Sequence, residues 1–283
     1  MPRSGTSLVT QLLHRCGLYL GPPDDLMPAA ADNPDGYWEN LRFVRLNERL
    51  LAASGGTWFA PPQTLRPTRE IAADARSILA SFHGRDPWGW KDPRNAVTLP
   101  FWKSLLASMK VVVCVRHPAE AASSLAASAL IPRTWPFYWS VTRPDSSIAL
   151  GHGAARLPER LWGAARATMS MDRRRALVHD VGLEIWRVYN TRILEETSAA
   201  NRLVTHYEAM LAHPRAELER ILAFSGIHAG SVVLDDATRA VSPHLRHQRA
   251  DTGSLDPELA RLYAQLSREA DHPCSSTPSR SGH

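Results

Sequence analysis

The sequence predicts an α/β domain built on a parallel, doubly wound sheet, and three observations carry that expectation. Residues 111–115, VVVCV, are a continuous apolar run, as in a strand buried on both faces. Pro118 then opens an Ala-rich helical stretch. The same order returns at 202–206, where a strand is followed by a helix with Pro214 at its start and Gly226 at its end. Third, the small residues 4–7 stand directly ahead of an amphipathic helix. Strands alternating with helices argue for a parallel sheet.

The elements follow in order. Leu8, Val9, Leu12, Leu13 and Cys16 share one helical face, and Gly17 is placed to end that helix. A loop of this kind normally follows a buried central strand. Only Met1 and Pro2 precede Arg3, so the sheet is expected to lack its first strand, with an apolar run of about five or six residues expected upstream. Residues 41–53 have helical spacing, and 70–82 form a second helix beyond the loop SGGTWFAPP. WGWKDPR at 88–94 reads as a short strand running into a turn, with Pro93 near the start of the next helix. Residues 131–180 carry four prolines and little periodicity; they read as an insertion or flap over the acceptor side. Residues 1–250 are expected to form one domain, with 251–283 a C-terminal helix and a disordered tail.

Composition narrows the function. The 283 residues suit one sizeable domain, and 44% apolar content supplies a core. No run of about 18 apolar residues appears, so no membrane span is expected. Cys16, Cys114 and Cys274 are scattered and odd in number, which suggests neither disulfide framework nor zinc site and fits a reducing, cytoplasmic setting. The net charge is +5, and all but three of the 33 basic residues are Arg. Arg suits bidentate contact with phosphate or sulfate, unless the bias reflects codon usage alone. The arginines form no aromatic-interleaved stripe, so a nucleic-acid partner is not expected.

The opening stretch PRSGTS reads as an anion cradle. Gly5 lets backbone approach a ligand, the helix start offers free N–H groups, and Arg3 adds a cation. A Ser/Thr-capped helix without a ligand is the plainer reading. The triphosphate-binding pattern is absent, because no Lys stands beside Thr6. In parallel sheets ligands bind beyond the carboxyl ends of the strands. The opening loop, KDPR, RHPAEAASS and HYE all reach that edge. Arg116 follows the buried strand and Ser124 lies eight residues on; their plain roles are a pair with Glu120 and an ordinary helix serine.

Taken in order, PRSGTS, GWKDPR, VRHPAEAASSL and HYEAML resemble the sulfotransferases that use 3′-phosphoadenylyl sulfate, and more narrowly their bacterial and carbohydrate-type members. The resemblance covers roughly residues 1–130 and 182–250. It implies the P-loop-like sulfotransferase fold. It also implies transfer of a sulfuryl group from that donor to the hydroxyl of a sugar, lipid or small molecule. Arg3, Ser4, Gly5, Thr6 and Ser7 would bind the 5′-phosphosulfate, Arg116 and Ser124 the 3′-phosphate, and Tyr207 would lie near the adenine. SPHLRH would close the site, through Arg246 first and His247 next. GYWEN places Glu39 as the general base, against an exposed turn carboxylate as its plain reading; His14 and His83 do not match a base's context. Arg3 and Lys91 would offset developing charge, with Asp92 orienting Lys91 or capping a helix. No metal is implied. Trp38, Trp58, Trp135 and Trp139 either stack on an acceptor or pack in the core or flap. Two other functions fit parts of the pattern: an ATP-dependent phosphotransferase, and a degraded nucleotide-binding module.

Overall fold

The structure, a computed structural model, describes residues 1–31, 33–130, 170–239, 241 and 255–271. Helix α1 (Thr6–Arg15) follows the opening loop. A short 3-10 turn at Pro23–Asp25 leads to α2 (Leu41–Ala53), α3 (Arg69–Ala80) and α4 (Asn95–Lys103). Strand β1 (Val111–Val115) and α5 (Pro118–Leu130) come next. Beyond the insertion lie α6 (Met171–Glu196), β2 (Arg202–His206), α7 (Tyr207–Ala212), α8 (Pro214–Ser225), α9 (Ser231–Arg239) and α10 (Pro257–Asp271).

The strands β1 and β2 pair in parallel, from Val111 opposite Arg202 to Val115 opposite His206. Side chains alternate across a strand, and here both faces find apolar cover. Val113, Val115 and Val204 face one cluster with Ala121, Leu125, Ile185 and Trp186 from α5 and α6. Cys114 and Leu203 face the other, with Leu12 and Leu13 of α1 and Leu218 and Ile221 of α8. Covering both faces is what a parallel pair needs, since its βα crossovers lay helices on each side. A third cluster joins α2, α3 and α4 through Phe43, Leu50, Ile78 and Trp102.

The described residues form a mixed α/β domain with one parallel pair of strands. One expectation changes. Residues 88–94 make a single parallel bridge, Tyr19 with Trp88, and no strand. Trp88 and Trp90 stack along the α2–α4 cluster instead, with Trp90 parallel to Phe43 at 4.5 Å. Residues 131–169 of the expected flap lie outside the described residues. Its last part, 171–180, forms the first turns of α6, whose start is capped by the Ser170 side chain accepting from Arg173 N. The C-terminal helix is present as α10, and the tail beyond it lies outside the described residues. Among the described residues no helix is long and apolar enough to cross a membrane.

Candidate functional site

The opening loop turns sharply. Arg3 and Gly5 both have left-handed backbone, at φ 63° and 83°. A Cβ on Gly5 would sit 2.5 Å from Tyr207 Cδ2, so only glycine lets the Tyr207 ring lie against the loop. Helix α1 starts at Thr6 without a side-chain cap. Its first N–H groups lack helical acceptors by geometry. Ser4 beside them is 0% exposed, and its hydroxyl has no partner. A buried orphan hydroxyl next to an uncapped helix start, with a positive dipole end, fits an oxyanion ligand.

The first turn of α1 meets a buried ion pair. Lys91 Nζ donates to Glu39 Oε1 at 2.6 Å, to the Tyr37 carbonyl at 2.9 Å and to Ser7 Oγ at 3.2 Å. Glu39 is 3% exposed, so the plain reading of an exposed turn carboxylate does not hold. Burial pushes its carboxyl above the ordinary range, against the pull of Lys91. Glu39 Oε2 is buried without a partner. A carboxylate with one oxygen held and the other buried but unpartnered keeps a lone pair for a proton.

The second half of the loop's surroundings lies at the strand ends. Arg3 Nε donates to Ser124 Oγ at 3.2 Å, which joins the loop to α5. This contact sets Arg3 beside Ser124, the residue that the resemblance assigns to the 3′-phosphate. Arg116 follows β1; its guanidinium stacks 4.7 Å from the Tyr207 ring centroid, and its Nε donates to Glu120 Oε2. The pair with Glu120 is thus formed, alongside the contact that ties Arg116 to the loop through Tyr207. Trp186 Nε1 donates to the Arg116 carbonyl and fixes the strand end from α6.

Several supporting residues escape sequence reading. Asn47, fully buried in α2, donates to Asp92 Oδ2 at 2.7 Å and accepts from Trp102 Nε1. Arg94 pairs with Asp92 and, through Nε, with Glu48 of α2. Asp92 thus anchors the KDPR turn and accepts from Arg94 N. Asn33 donates to Ser7 Oγ and to the Gly36 carbonyl, drawing the 33–39 segment over α1. The one available signal for Asn47 was a polar residue on an otherwise apolar helix face.

Other candidates are more peripheral. Trp38 has left-handed backbone at φ 59° and its ring lies 5.2 Å from that of His14. Trp58 is buried in the core. Trp135, Trp139, Arg246 and His247 lie outside the described residues. His117 packs edge-on to Tyr263 of α10, with its Nδ1 buried and unpartnered; burial lowers its pKa, opposed by Glu120 and Glu208. Cys16 and Cys114 are free and buried, and burial pushes the Cys114 thiol up to about 12. Among the described residues no cluster of His, Cys, Asp and Glu is arranged to hold a metal. Comparison with known proteins finds no matching family model, curated protein or solved structure.

Proposed function

We propose that this chain transfers a sulfuryl group from 3′-phosphoadenylyl sulfate to an acceptor hydroxyl. The observation that carries the reading is the Lys91 ammonium, hydrogen-bonded both to Ser7 at the start of α1 and to the buried Glu39 carboxylate. An anion cradle, a cation and a base in one cluster are the parts that in-line transfer of an anionic group requires. The four motifs of the resemblance supply residues to this cluster or to its neighbour at the strand ends.

The donor supplies an activated sulfuryl group and leaves as adenosine 3′,5′-bisphosphate. The acceptor oxygen forms its bond to sulfur as the bond from sulfur to the phosphate oxygen breaks. Glu39 takes the hydroxyl proton on Oε2, worth roughly 10²–10⁴-fold in rate. Lys91, the α1 amides and Ser4 hold the anionic oxygens while their charge shifts. Arg3, Ser124 and Arg116 hold the 3′-phosphate, and Tyr207 sets the floor between the two anion sites. The acceptor is a hydroxyl of a sugar, lipid or small molecule, and the setting is the cytoplasm.

Calorimetric titration tests the reading. Adenosine 3′,5′-bisphosphate is expected to bind in the micromolar range, about −8 kcal/mol. Arg116→Ala is expected to weaken it by about 1.5–3 kcal/mol, while adenosine 5′-phosphosulfate, which has no 3′-phosphate, loses much less. Since Arg116 also partners Glu120, the variant's melting is recorded alongside. Tighter binding of magnesium ATP would point to phosphoryl transfer, and equal losses for both nucleotides would remove Arg116 from the site.

A further inference from the structure

An ammonium has three N–H donors, and all three of Lys91 are engaged: by Glu39, by Tyr37 and by Ser7. Only Glu39 among them brings a negative charge. Ser7 lies in the first turn of α1, where no acidic side chain stands and no side chain caps the helix. An oxyanion seated there reaches a lysine already held by a carboxylate.

From these contacts we infer that Glu39 is an internal counter-anion: an oxyanion at the start of α1 takes the Lys91 ammonium over from it, so anion binding and release of the base are one event. The inference rests on the proposed function only in seating the donor's anion at α1. Where Glu39 stays ionised, only an ion pair is exchanged; in the range where it titrates, anion binding also draws one proton from solvent onto its carboxylate. The charged groups facing Glu39 are Lys91, Asp92 and Arg94. Asp92 is held by Arg94 and Asn47, so these two do not take part in the exchange. Burial already holds the Glu39 carboxyl above its ordinary range, and losing Lys91 raises it further. Ionised Glu39 competes for Lys91; protonated Glu39 does not. Oxyanion affinity therefore falls as pH rises through the range in which Glu39 ionises. Where Glu39 remains ionised beside the bound anion it is the stronger base, because its countercharge has moved to the anion.

Inorganic sulfate is the probe, because it stays dianionic across the range used. Its dissociation constant is measured on the full chain by tryptophan fluorescence from acid to mildly alkaline pH. Wild type is expected to bind more weakly as pH rises. Glu39→Gln is expected to bind about tenfold more tightly at the alkaline end, within the roughly 5–150-fold usual for linked equilibria, and to lose the pH dependence. Unchanged or weaker affinity in Glu39→Gln with the pH dependence intact overturns the inference, as does absence of sulfate binding to wild type. Should Glu39→Gln fail to fold, infrared difference spectra of wild type read the same exchange. A carboxylate band that shifts on adding sulfate supports it, and an unchanged band refutes it. A parallel titration with adenosine 3′,5′-bisphosphate separates the two readings. Sulfate behaving as expected without bisphosphate binding leaves the inference and removes the sulfuryl-transfer reading; the opposite pattern does the reverse.

Discussion

The two halves of the candidate site hold their cations differently. On one side Lys91 meets, among the described residues, one carboxylate, and that carboxylate keeps an unpartnered oxygen. On the other side Arg3 and Arg116 are held by Ser124, Glu120 and the face of Tyr207. A lysine is a point charge on a flexible stem and changes partners readily; a stacked guanidinium is planar and fixed in orientation. The lysine half draws on the 33–39 segment and the KDPR turn. The arginine half is tied to the ends of β1 and β2. The difference separates a place where charge changes hands from a place where shape is recognised, and Gly5 with Tyr207 is the joint between them.

Removing the lysine is the sharpest way to break this comparison. Lys91→Met leaves Glu39 buried and uncompensated, at a cost of about 3–5 kcal/mol. The sign with pH follows from Glu39. Its folded pKa is raised above the ordinary 4.5, so the folded state binds the proton more tightly than the unfolded chain. Stability from this group is full below the unfolded value and is lost as pH rises through the folded one. Without Lys91 the window extends to higher pH, so urea midpoints of Lys91→Met are expected to fall as pH rises above the ordinary carboxylate range, and over a wider range than in wild type. Adding Glu39→Gln should restore most of the loss, and a pH-independent midpoint in the single variant would contradict the account.

A smaller effect is expected at the joint. Gly5→Ala forces a Cβ toward the Tyr207 ring and strains a left-handed residue, together about 2–4 kcal/mol. Denaturant unfolding measures it, and Tyr207→Ala in the same background should relieve the steric part but not the backbone part. No relief would mean that the ring does not press on the loop.

The smallest effect belongs to His117, at the edge of the arginine half. Burial holds its folded pKa below the ordinary value of 6.5. The unfolded chain then takes up a proton that the folded chain resists. Stability from neutral His117 is full above 6.5 and is lost as pH falls from there through the folded pKa. His117→Gln should flatten that acid limb of the melting curve, and an unchanged limb would assign it to other groups.

Much of the frame was legible because its local signals agree with its burial. Residues 41–53 become α2 because their apolar spacing matches the face buried against α3 and α4. Pro214 and Gly226 bracket α8 for reasons that act within the chain itself: Pro suits a first helical turn and Gly a left-handed end. The start of α6 was missed because MDRRR offers charge and no stripe; its two opening turns face outward, and a single serine cap begins them. The stretch 88–94 misled because alternating tryptophans imitate a strand, while their rings are claimed by aromatic stacking. Within the site, Glu39, Lys91 and Ser7 were visible by type, but their mutual contact was not. Asn47 stayed hidden, since a lone amide says nothing of the buried aspartate that it meets.

Helix α2 carries one further consequence. Glu39 and Lys91 stand 52 positions apart. Yet Glu39 directly precedes Asn40, which caps α2, while Asn47 and Glu48 of the same helix grip Asp92 and Arg94. Both members of the pair are thus gauged against one rigid rod. The exposed turn at 83–86, in the intervening chain, has no say in their separation. Lengthening a loop costs only about 0.6 kcal/mol per doubling. This turn is where the chain can accept inserted residues, or a spliced-in tag, while the distance between acid and base stays as it is.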